Sequence, residues 1–440
     1  MGLATLSNDA KALAAVAKDK LYSKNPEMLI AVAEAFECNN NSAQAATYVA
    51  KAKKADKKSA LPYIFEGDQL LAKKQTNEAA SKYDNAIYFD PSNKIAYLKS
   101  AQVYKNVRTS VAKEYLEKAV AIDQQYAPGL FLLADLNNRT GYYPEALESF
   151  SKYLGVIKPT PADYEKYAQI LYFNKKYDET LSAITKAPNT FVMSRLKMYS
   201  LNALGKTTEA LEAGKNLFTI KTDNDSIIGQ DYTTYAKLLS DNKQFGEAAT
   251  NLLSAYNLDT TKISLLKDAA KSYESAKDNS KALHVYDMIA KKTGATADIF
   301  MSGRMYYIAG SDETVSDKAL KTKYLTEADS TFTVVTQKLP DNYMGFFWRA
   351  RANTALDPET TQGLAKPYYE KALELMLPTL DERKNEIMEA YRYLGYYNYL
   401  KNDKEQTKYY FNKVLEINPK DAVSLQAIQG LEASTKKKSK

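Results

Sequence analysis

The sequence is poor in the side chains on which most enzymatic and metal-binding chemistry depends. Its 440 residues include one cysteine, one histidine and one tryptophan. A single cysteine excludes an internal disulfide framework and any zinc or iron–sulfur site built from several thiolates. A single histidine, His284, leaves no second imidazole for a multi-histidine metal site. We therefore expect neither a metal nor a cofactor.

Catalytic motifs are also missing. The chain contains no GxxxxGKS/T phosphate loop, no GxGxxG after a strand, no HExxH and no GxSxG nucleophile elbow. Acidic pairs such as Asp223/Asp225 lie in polar connections. Acid–base catalysis needs two carboxyl groups in different environments at a shared cleft, which solvated loop acids do not provide. The sequence predicts a protein that is not an enzyme.

Charge and hydropathy exclude two further classes of function. The chain has 60 Lys and Arg against 53 Asp and Glu, and the resulting excess of +7 is spread along its length. This distribution does not indicate a nucleic-acid groove. No run of about 18 apolar residues exists, so we expect no transmembrane segment. A hydrophobic content of 45% instead indicates a folded protein with a large core.

What the sequence does contain is a recurring pattern of small and large residues. In the stretch ALPYIFEGDQLLAKKQTNEAASKYDNAIYFDPSN, residues 60–93, two helical faces are separated by a short polar turn. The first face carries Tyr63, Gly67 and Leu70, and the second carries Ala79, Tyr83 and Ala86. Small residues let two antiparallel helices approach, and large residues fill the remaining space. The Asp-Pro that follows ends the second helix, so the unit is a helical hairpin.

The second-helix triplet recurs roughly every 33 to 40 residues, from Ala45 to Thr407. One hairpin cannot bury both of its faces, so each must stack on the next. The pattern resembles the tetratricopeptide repeat family of bacterial type. The clearest matches are Tyr63, Gly67, Leu70, Ala79, Tyr83, Ala86 and Pro91, and near the end Tyr391, Leu394, Gly395, Phe411 and Pro419. The resemblance implies an all-α fold: a right-handed α-α superhelix, or α-solenoid, of about ten or eleven such hairpins.

The chain is predicted to have four parts. Residues 1–25 form an N-terminal capping helix, 26–420 the repeat array, 421–433 a C-terminal capping helix, and 434–440 a disordered basic tail. Two stretches, near residues 310–323 and 357–367, lengthen the connections of their hairpins. They are either loops that contact a partner or tolerated insertions, and the sequence leaves both interpretations open.

In the resembled family the first helix of each hairpin lines the concave side, which implies where a partner would bind. At the aligned positions the last third of the chain is richest in Arg, Met and aromatic residues, the usual anchors of interfaces. The predicted peptide-binding residues are Arg195, Tyr199, Met301, Met305, Phe347, Arg351, Arg392, Tyr396 and Tyr399. The competing interpretation is that the tyrosines of YRYLGYYNYLKN only pack between repeats.

Together these features favour a scaffold or adaptor that binds a protein or peptide segment on its concave face. The alternative is an exported accessory protein that binds a glycan or small ligand through Phe347, Trp348 and Tyr396. The abundance of tyrosine, 35 residues, favours an exported, periplasmic protein whose signal peptide precedes residue 1, with the cytoplasm as the alternative.

Overall fold

The computed structural model describes residues 23–438, together with residues 15, 18 and 19. Side chains are described up to residue 432. Within these residues the chain forms 23 α-helices and one 3-10 helix, and no strand. The helices belong to two compact units, residues 1–206 and 207–440. The predicted all-α class is confirmed.

The first unit contains helices α1 to α11. Their bounds are α1 Pro26–Cys38, α2 Ser42–Ala55, α3 Leu61–Ala72, α4 Thr76–Phe89, α5 Lys94–Tyr104, α6 Thr109–Ile122, α7 Ala127–Arg139, α8 Tyr143–Val156, α9 Pro161–Phe173, α10 Tyr177–Ile184 and α11 Phe191–Ala203. Helices α1 to α10 pack as five consecutive hairpins, and α11 ends the unit.

The second unit contains helices α12 to α23. Their bounds are α12 Thr207–Ile220, α13 Gly229–Asp241, α14 Phe245–Leu258, α15 Ile263–Ser275, α16 Asn279–Thr293, α17 Thr296–Ser311, α18 Lys318–Lys338, α19 Tyr343–Leu356, α20 Lys366–Met376, α21 Lys384–Leu400, α22 Lys404–Ile417 and α23 Ala422–Lys438. The 3-10 helix Leu377–Glu382 follows α20. Helices α13 to α22 form five hairpins, so the described residues contain ten hairpins in the two units, in agreement with the predicted repeat.

In several hairpins a small residue of the first helix packs against a large residue of the second. In the hairpin of α3 and α4, Ala79, Tyr83 and Ala86 have no exposed surface. The ring of Tyr83 lies directly over Gly67, and in the hairpin of α21 and α22 the ring of Phe411 lies over Gly395. The glycine therefore sets how closely the two helices approach, as the sequence pattern predicts.

The turn inside the hairpins has a recurring backbone conformation. Lys74 has a φ of 62° and follows α3, and the N–H of Gln75 donates to the carbonyl of Leu70 at 2.9 Å. The left-handed conformation of Lys74 lets backbone N–H groups after the helix donate to carbonyl groups of its last turn. The same conformation occurs after other first helices, at Asn40, Gly141, Lys175, Lys243, Lys277 and Asn402.

Between hairpins, the side-chain oxygen of an aspartate or asparagine accepts a hydrogen bond from the backbone N–H two residues later. This hydrogen bond stabilises the turn. The carboxylate of Asp90 accepts from the N–H of Ser92 at 3.1 Å, and that of Asp123 accepts from Gln125 at 3.0 Å. Asp259 and Asn418 repeat the contact with Thr261 and Lys420. The Asp-Pro of the sequence pattern is one instance of this Asx turn.

The two insertions take different forms. The stretch near 310–323 lengthens α17 and α18 and leaves a short connection, residues 312–317, between them. The stretch near 357–367 forms an ordered loop around the buried carboxylate of Asp357. Whether either contacts a partner stays a prediction.

The predicted ends of the array lie at the limits of the described residues. The N-terminal helix of residues 1–25 lies outside them except for 15, 18, 19 and 23–25. At the other end the backbone of α23 continues to Lys438, while residues 439–440 are not described. The predicted division of residues 421–440 into a helix and a tail therefore stays a prediction.

Candidate functional site

The nine predicted binding residues belong to both units. Arg195 and Tyr199 lie on α11 of the first unit, and the other seven lie on α17, α19 and α21 of the second. Arg195 places its guanidinium 4.7 Å from the ring centre of Phe191, and the ring of Tyr199 lies 6.1 Å from that of Tyr172. Both side chains of α11 are half-buried.

Met305 and Phe347 occupy the core rather than an open surface. Met305 has no exposed surface and Phe347 is 3% exposed. The ring of Phe347 packs edge to face on Tyr369, with 6.0 Å between ring centres. Met301 is half-buried against the same cluster as Met305. Successive helical residues point about 100° apart around the helix axis. A helix rotated slightly from the orientation that the sequence alignment assumes therefore turns these side chains from the groove into the core. Met305 therefore offers a partner no surface, and Phe347 offers only the 3% that remains exposed.

Arg351 is held by a carboxylate of the next hairpin. Its guanidinium donates from Nε to Oε1 of Glu389 at 2.8 Å and from a terminal nitrogen to Oε2 at 2.6 Å. Tyr369 donates to the same carboxylate at 3.0 Å. Hydrogen bonding to Glu389 raises the pKa of Arg351 above its ordinary value. The paired atoms leave the guanidinium little capacity for a partner's carboxylate.

Arg392 has a similar role one hairpin later. It donates to the carboxylate of Asp421, immediately before α23, and that carboxylate also accepts from the backbone N–H of Ser424 at 3.0 Å. Burial raises the pKa of Asp421, but these hydrogen bonds outweigh the burial and hold the pKa below its ordinary value. The pair joins the last hairpin to the terminal helix, since Arg392 lies on α21 and Asp421 caps α23.

The tyrosines of α21 divide into two groups. Tyr391 and Tyr393 are buried in the core of the last hairpins, and Tyr397 packs against Gly363. Tyr396 and Tyr399 are 43% and 55% exposed. Three rings of the tyrosine-rich stretch therefore pack within the chain and two are exposed, and whether the exposed two contact a partner stays a prediction.

Tyr396 and Tyr399 line an open groove of about 900 Å³ formed by α21, α22 and α23. We call it the C-terminal groove. Its lining residues are Tyr396, Tyr399, Leu400, Asn402, Lys404, Thr407, Phe411, Val423, Gln426, Ala427, Gly430 and Leu431. Thr407 and Phe411 form a buried floor, whereas the two tyrosines, Leu400 and Val423 expose large side chains at the walls. This is a large apolar depression in which two predicted binding residues meet.

A second, smaller pocket of about 290 Å³ lies between α19 and α21. It is lined by Tyr343, Met344, Phe347, Trp348, Arg351, Asn385, Glu386 and Glu389. The guanidinium of Arg351 lies 5.0 Å from the ring of Trp348, and Phe332 packs 6.0 Å from the same ring. Trp348 thus lines a different pocket from Tyr396 and already carries a cation on its ring.

In the part of the chain that the structure describes, no three His, Cys, Asp or Glu side chains come together as metal ligands would. Among the same residues, no helix combines the length and the apolar character that crossing a membrane requires. His284 and Cys38 are both exposed.

The sequence interpretation missed part of the C-terminal groove. Leu400, Phe411 and Val423 complete the walls and floor, yet the sequence assigned α23 only a covering role. The available signal was the run of apolar residues in AVSLQAIQGL, residues 422–431, which continues the helical pattern beyond the last hairpin. It also missed Glu389, which lies 38 residues after Arg351, about one repeat away.

Comparison with solved structures finds several repeat proteins to which the chain is similar. The chain is similar to the C-terminal part of a TPR repeat-containing protein from Cytophaga hutchinsonii, with 26% identity over 60% of this chain and 98% of that one and a TM-score of 0.41. It is also similar to a structure of Naa15/Naa10 bound to HypK-THB, with 15% identity over 91% of this chain and 64% of that one and a TM-score of 0.41.

A third similar structure is that of YrrB, described as a TPR protein with an unusual peptide-binding site. The identity is 17% over 47% of this chain and 99% of that one, with a TM-score of 0.33. No protein-family model matches the chain, and no curated protein matches its sequence. The chain's own hairpins and their recurring residues resemble those of tetratricopeptide repeats.

Proposed function

We propose that this chain is a non-enzymatic scaffold that binds a segment of another protein, with the C-terminal groove as its main contact surface. Stacked helical repeats offer extended surfaces that proteins use for binding partners. The observation that supports the proposal most is the exposure of Tyr396 and Tyr399, 43% and 55%, beside a buried apolar floor. Tyrosine is enriched at interfaces because its ring buries much area at little rotamer cost and its hydroxyl still finds a partner.

The other predicted residues have secondary roles in this proposal. Arg351 and Arg392 keep their carboxylate partners in the chain, so they position the first helices rather than bind a partner's acid directly. Arg195, Tyr199 and Met301 remain candidate contacts on the first helices. In this proposal the residues of the predicted concave face do not contribute equally to partner binding, and the main contact residues lie on α21.

Site-specific photo-crosslinking tests the proposal. A benzoylphenylalanine replaces Tyr396 in one variant and Tyr409 in a matched control, because Tyr409 is 50% exposed on α22 but does not line the groove. The proposal expects the variant at 396 to crosslink one protein in extracts of the native cell, at one reproducible segment. It expects the variant at 409 to give no such product. Equal products from both positions would contradict the groove assignment.

Glycan binding remains the alternative function, and the pocket around Trp348 is where it would occur. Sugar recognition by aromatic residues uses a bare ring face, and Arg351 lies over the Trp348 ring. This geometry favours protein binding over the alternative. Because Trp348 is the single tryptophan, its fluorescence reports on the pocket directly. A saturable change on titration with oligosaccharides would reverse the preference, and a flat response supports it.

A further inference from the structure

We infer that the first hairpin, formed by α1 and α2, opens as a rigid body from the second hairpin, formed by α3 and α4. The contact between them, residues 26–55 against residues 61–89, is called the first interface. The inference concerns the first unit alone and does not depend on the proposed function. It follows from three features of this interface: an apolar cleft, a lysine in place of an apolar residue, and two carboxylates where other hairpins share an ion pair.

The first interface contains an open cleft of about 460 Å³. Phe65 and Leu70 line it from α3. Protein interiors are close-packed and hold few voids larger than a water molecule. The side chains of the first hairpin therefore leave its contact with the second incompletely filled. The residues of α2 that line the cleft are mostly small: Ser42, Ala45, Ala46, Val49, Ala50 and Lys53.

The sequence of α2 explains why the cleft forms. In the next three hairpins an apolar residue follows the large residue of the second-helix triplet by four positions, and these residues are Ile87, Val120 and Leu154. Each packs in a core cluster that continues into the following hairpin. In α2 the same position, four after Val49, is Lys53. A lysine keeps its ammonium group in water, so it cannot fill the interface as an apolar side chain does.

Lys53 instead takes part in a water-accessible ion pair. It pairs with Glu66 of α3, and Lys82 of α4 pairs with the same carboxylate at 2.7 Å. The three side chains remain between 26% and 36% exposed. Ion pairs that water reaches contribute little to stability, because the solvent screens the charges. The second helix of the first hairpin is thus joined to α3 by a weak polar contact.

The first helices of the two hairpins meet with like charges. Burial, followed by the negative charge of Asp68 on α3, raises the pKa of Glu34 on α1, and Lys99 partly opposes this shift. Later in the unit the first helices share ion pairs: Lys99 pairs with Asp68 between α5 and α3, and Lys166 pairs with Asp135 between α9 and α7. Two neighbouring carboxylates repel each other. At the first interface this contact therefore opposes stacking.

The first hairpin has a core of its own, so it can move without unfolding. Ten of the eleven buried residues in its described core cluster lie on α1 and α2, and one, Phe65, lies on α3. By contrast, a single cluster in the second unit joins α14, α15, α16 and α17. The connection between α2 and α3 begins with three exposed residues, 56–58, which is where we place the hinge. Opening there moves α1 and α2 together.

Distances between paired spin labels, measured by double electron–electron resonance on the full chain, test the inference. Ala43, Asn77 and Ser110 are the second residues of α2, α4 and α6, and all three are exposed. In a Cys38→Ser background, cysteines for labelling replace Ala43 and Asn77 in one sample and Asn77 and Ser110 in the matched control. We expect the distance distribution across the first interface to be at least about twice as broad as that of the control pair. Equal widths overturn the inference.

Two charge variants locate the cause. Glu34→Lys gives Asp68 a cation across the first interface, as later hairpins do, and should narrow the 43/77 distribution to the width of the control pair. Glu27→Lys makes the same change of charge at an exposed position of the same helix and should leave the distribution unchanged. Equal narrowing in both variants would show a general charge effect and overturns the inference.

Hydrogen exchange separates opening from local unfolding. If the hairpin moves as a body, the amides of α1 and α2 exchange as slowly as those of α3 and α4, because the helical hydrogen bonds persist. Exchange in α1 and α2 that is faster by about tenfold or more would show that the first hairpin unfolds instead, and the inference is then wrong.

Discussion

Arg351 and Glu389 join the first helices of two consecutive hairpins through two hydrogen bonds of 2.8 and 2.6 Å. The same relationship recurs elsewhere in each unit. Lys99 pairs with Asp68 at 2.8 Å between α5 and α3, and Lys267 pairs with Asp298 at 2.8 Å between α15 and α17. Charged residues on the first helices therefore help to hold neighbouring repeats together.

The first prediction concerns this pair. Arg351→Ala should lower the free energy of unfolding of the second unit by about 1–2 kcal/mol, because two charge-assisted hydrogen bonds are lost at a half-buried site. Glu389→Ala should cost a similar amount, and urea unfolding measures both. If the two residues act through each other, the double variant loses less than the sum of the single ones. Strict additivity would show that the pair contributes no coupling.

How far the sequence could predict the fold is clear from particular residues. The alternating small and large residues Ala79, Tyr83 and Ala86 share one face of their helix. They could be assigned to the core because this is the face that must pack against the first helix of the hairpin. The partner of Arg351 could not be assigned in the same way. It depends on the register in which two hairpins stack, which a single repeat does not encode.

The binding surface was less predictable than the core, for a geometric reason. Met305 and Met301 are four residues apart on α17, yet one is fully buried and the other half-buried. Similarly, Tyr396 faces the groove and its neighbour Tyr397 packs on Gly363. Adjacent helical residues point about 100° apart, so an error of a single residue in the alignment exchanges groove and core.

The second prediction separates packing tyrosines from binding tyrosines. Tyr399→Ala should change the free energy of unfolding by less than about 0.5 kcal/mol, because the side chain is more than half exposed. It should nevertheless weaken capture of the crosslinked partner at least tenfold. Tyr391→Ala should cost about 3–5 kcal/mol, because it leaves a cavity in the core. Thermal melts together with the binding assay distinguish a packing tyrosine from a binding one. A large loss of stability in Tyr399→Ala would show that Tyr399 packs in the fold and is not a binding residue.

The third prediction concerns the close approach of α3 and α4. A Cβ atom at Gly67 would lie within 2.9 Å of three ring carbons of Tyr83. Gly67→Ala should therefore destabilise the first unit by about 1–3 kcal/mol, despite the better helix propensity of alanine. Gly155→Ala is the matched control, because nothing lies within 4 Å of its added Cβ on α8. The control should be neutral or stabilising, and equal melting temperatures for both variants would contradict the packing argument.

The fourth prediction is a loss of stability at alkaline pH through Tyr153. Burial, together with the hydrogen bond that its hydroxyl donates to Asp163 at 2.9 Å, raises the pKa of Tyr153 to about 12. An unperturbed tyrosine has a pKa of about 10, so folding favours the protonated form. The contribution is complete below about pH 10 and is lost as the pH rises to about 12.

Melting temperatures of the wild type and Tyr153→Phe, measured between pH 8 and pH 12, test this prediction. The wild type should be the more stable at pH 8, and its advantage should disappear by about pH 12. Tyr88→Phe is the control, since Tyr88 is exposed and makes no hydrogen bond within the described residues. A constant difference between the wild type and Tyr153→Phe across this range would exclude the coupling.

The fifth prediction concerns the loop of the insertion near residues 357–367. The carboxylate of Asp357, 3% exposed, accepts from the backbone N–H groups of Thr361, Gln362 and Gly363 at 3.1, 2.9 and 2.8 Å. Removing a buried acceptor leaves three donors unsatisfied. Asp357→Ala should therefore speed hydrogen exchange of these three amides at least tenfold, whereas Asp357→Asn, which keeps one acceptor oxygen, should have a smaller effect.

The same loop supports the helix that carries the groove tyrosines, so its loosening should be detectable at the groove. Lys401 donates to the carbonyl of Thr361 at 3.2 Å, and the hydroxyl of Tyr393 accepts from the N–H of Ala365 at 3.3 Å. Both contacts hold the loop on α21 and its end. Asp357→Ala should thus also weaken partner binding at Tyr396 by several fold, without any direct contact. Faster exchange of the loop amides with unchanged binding would show that the insertion is held by α21 but does not position it.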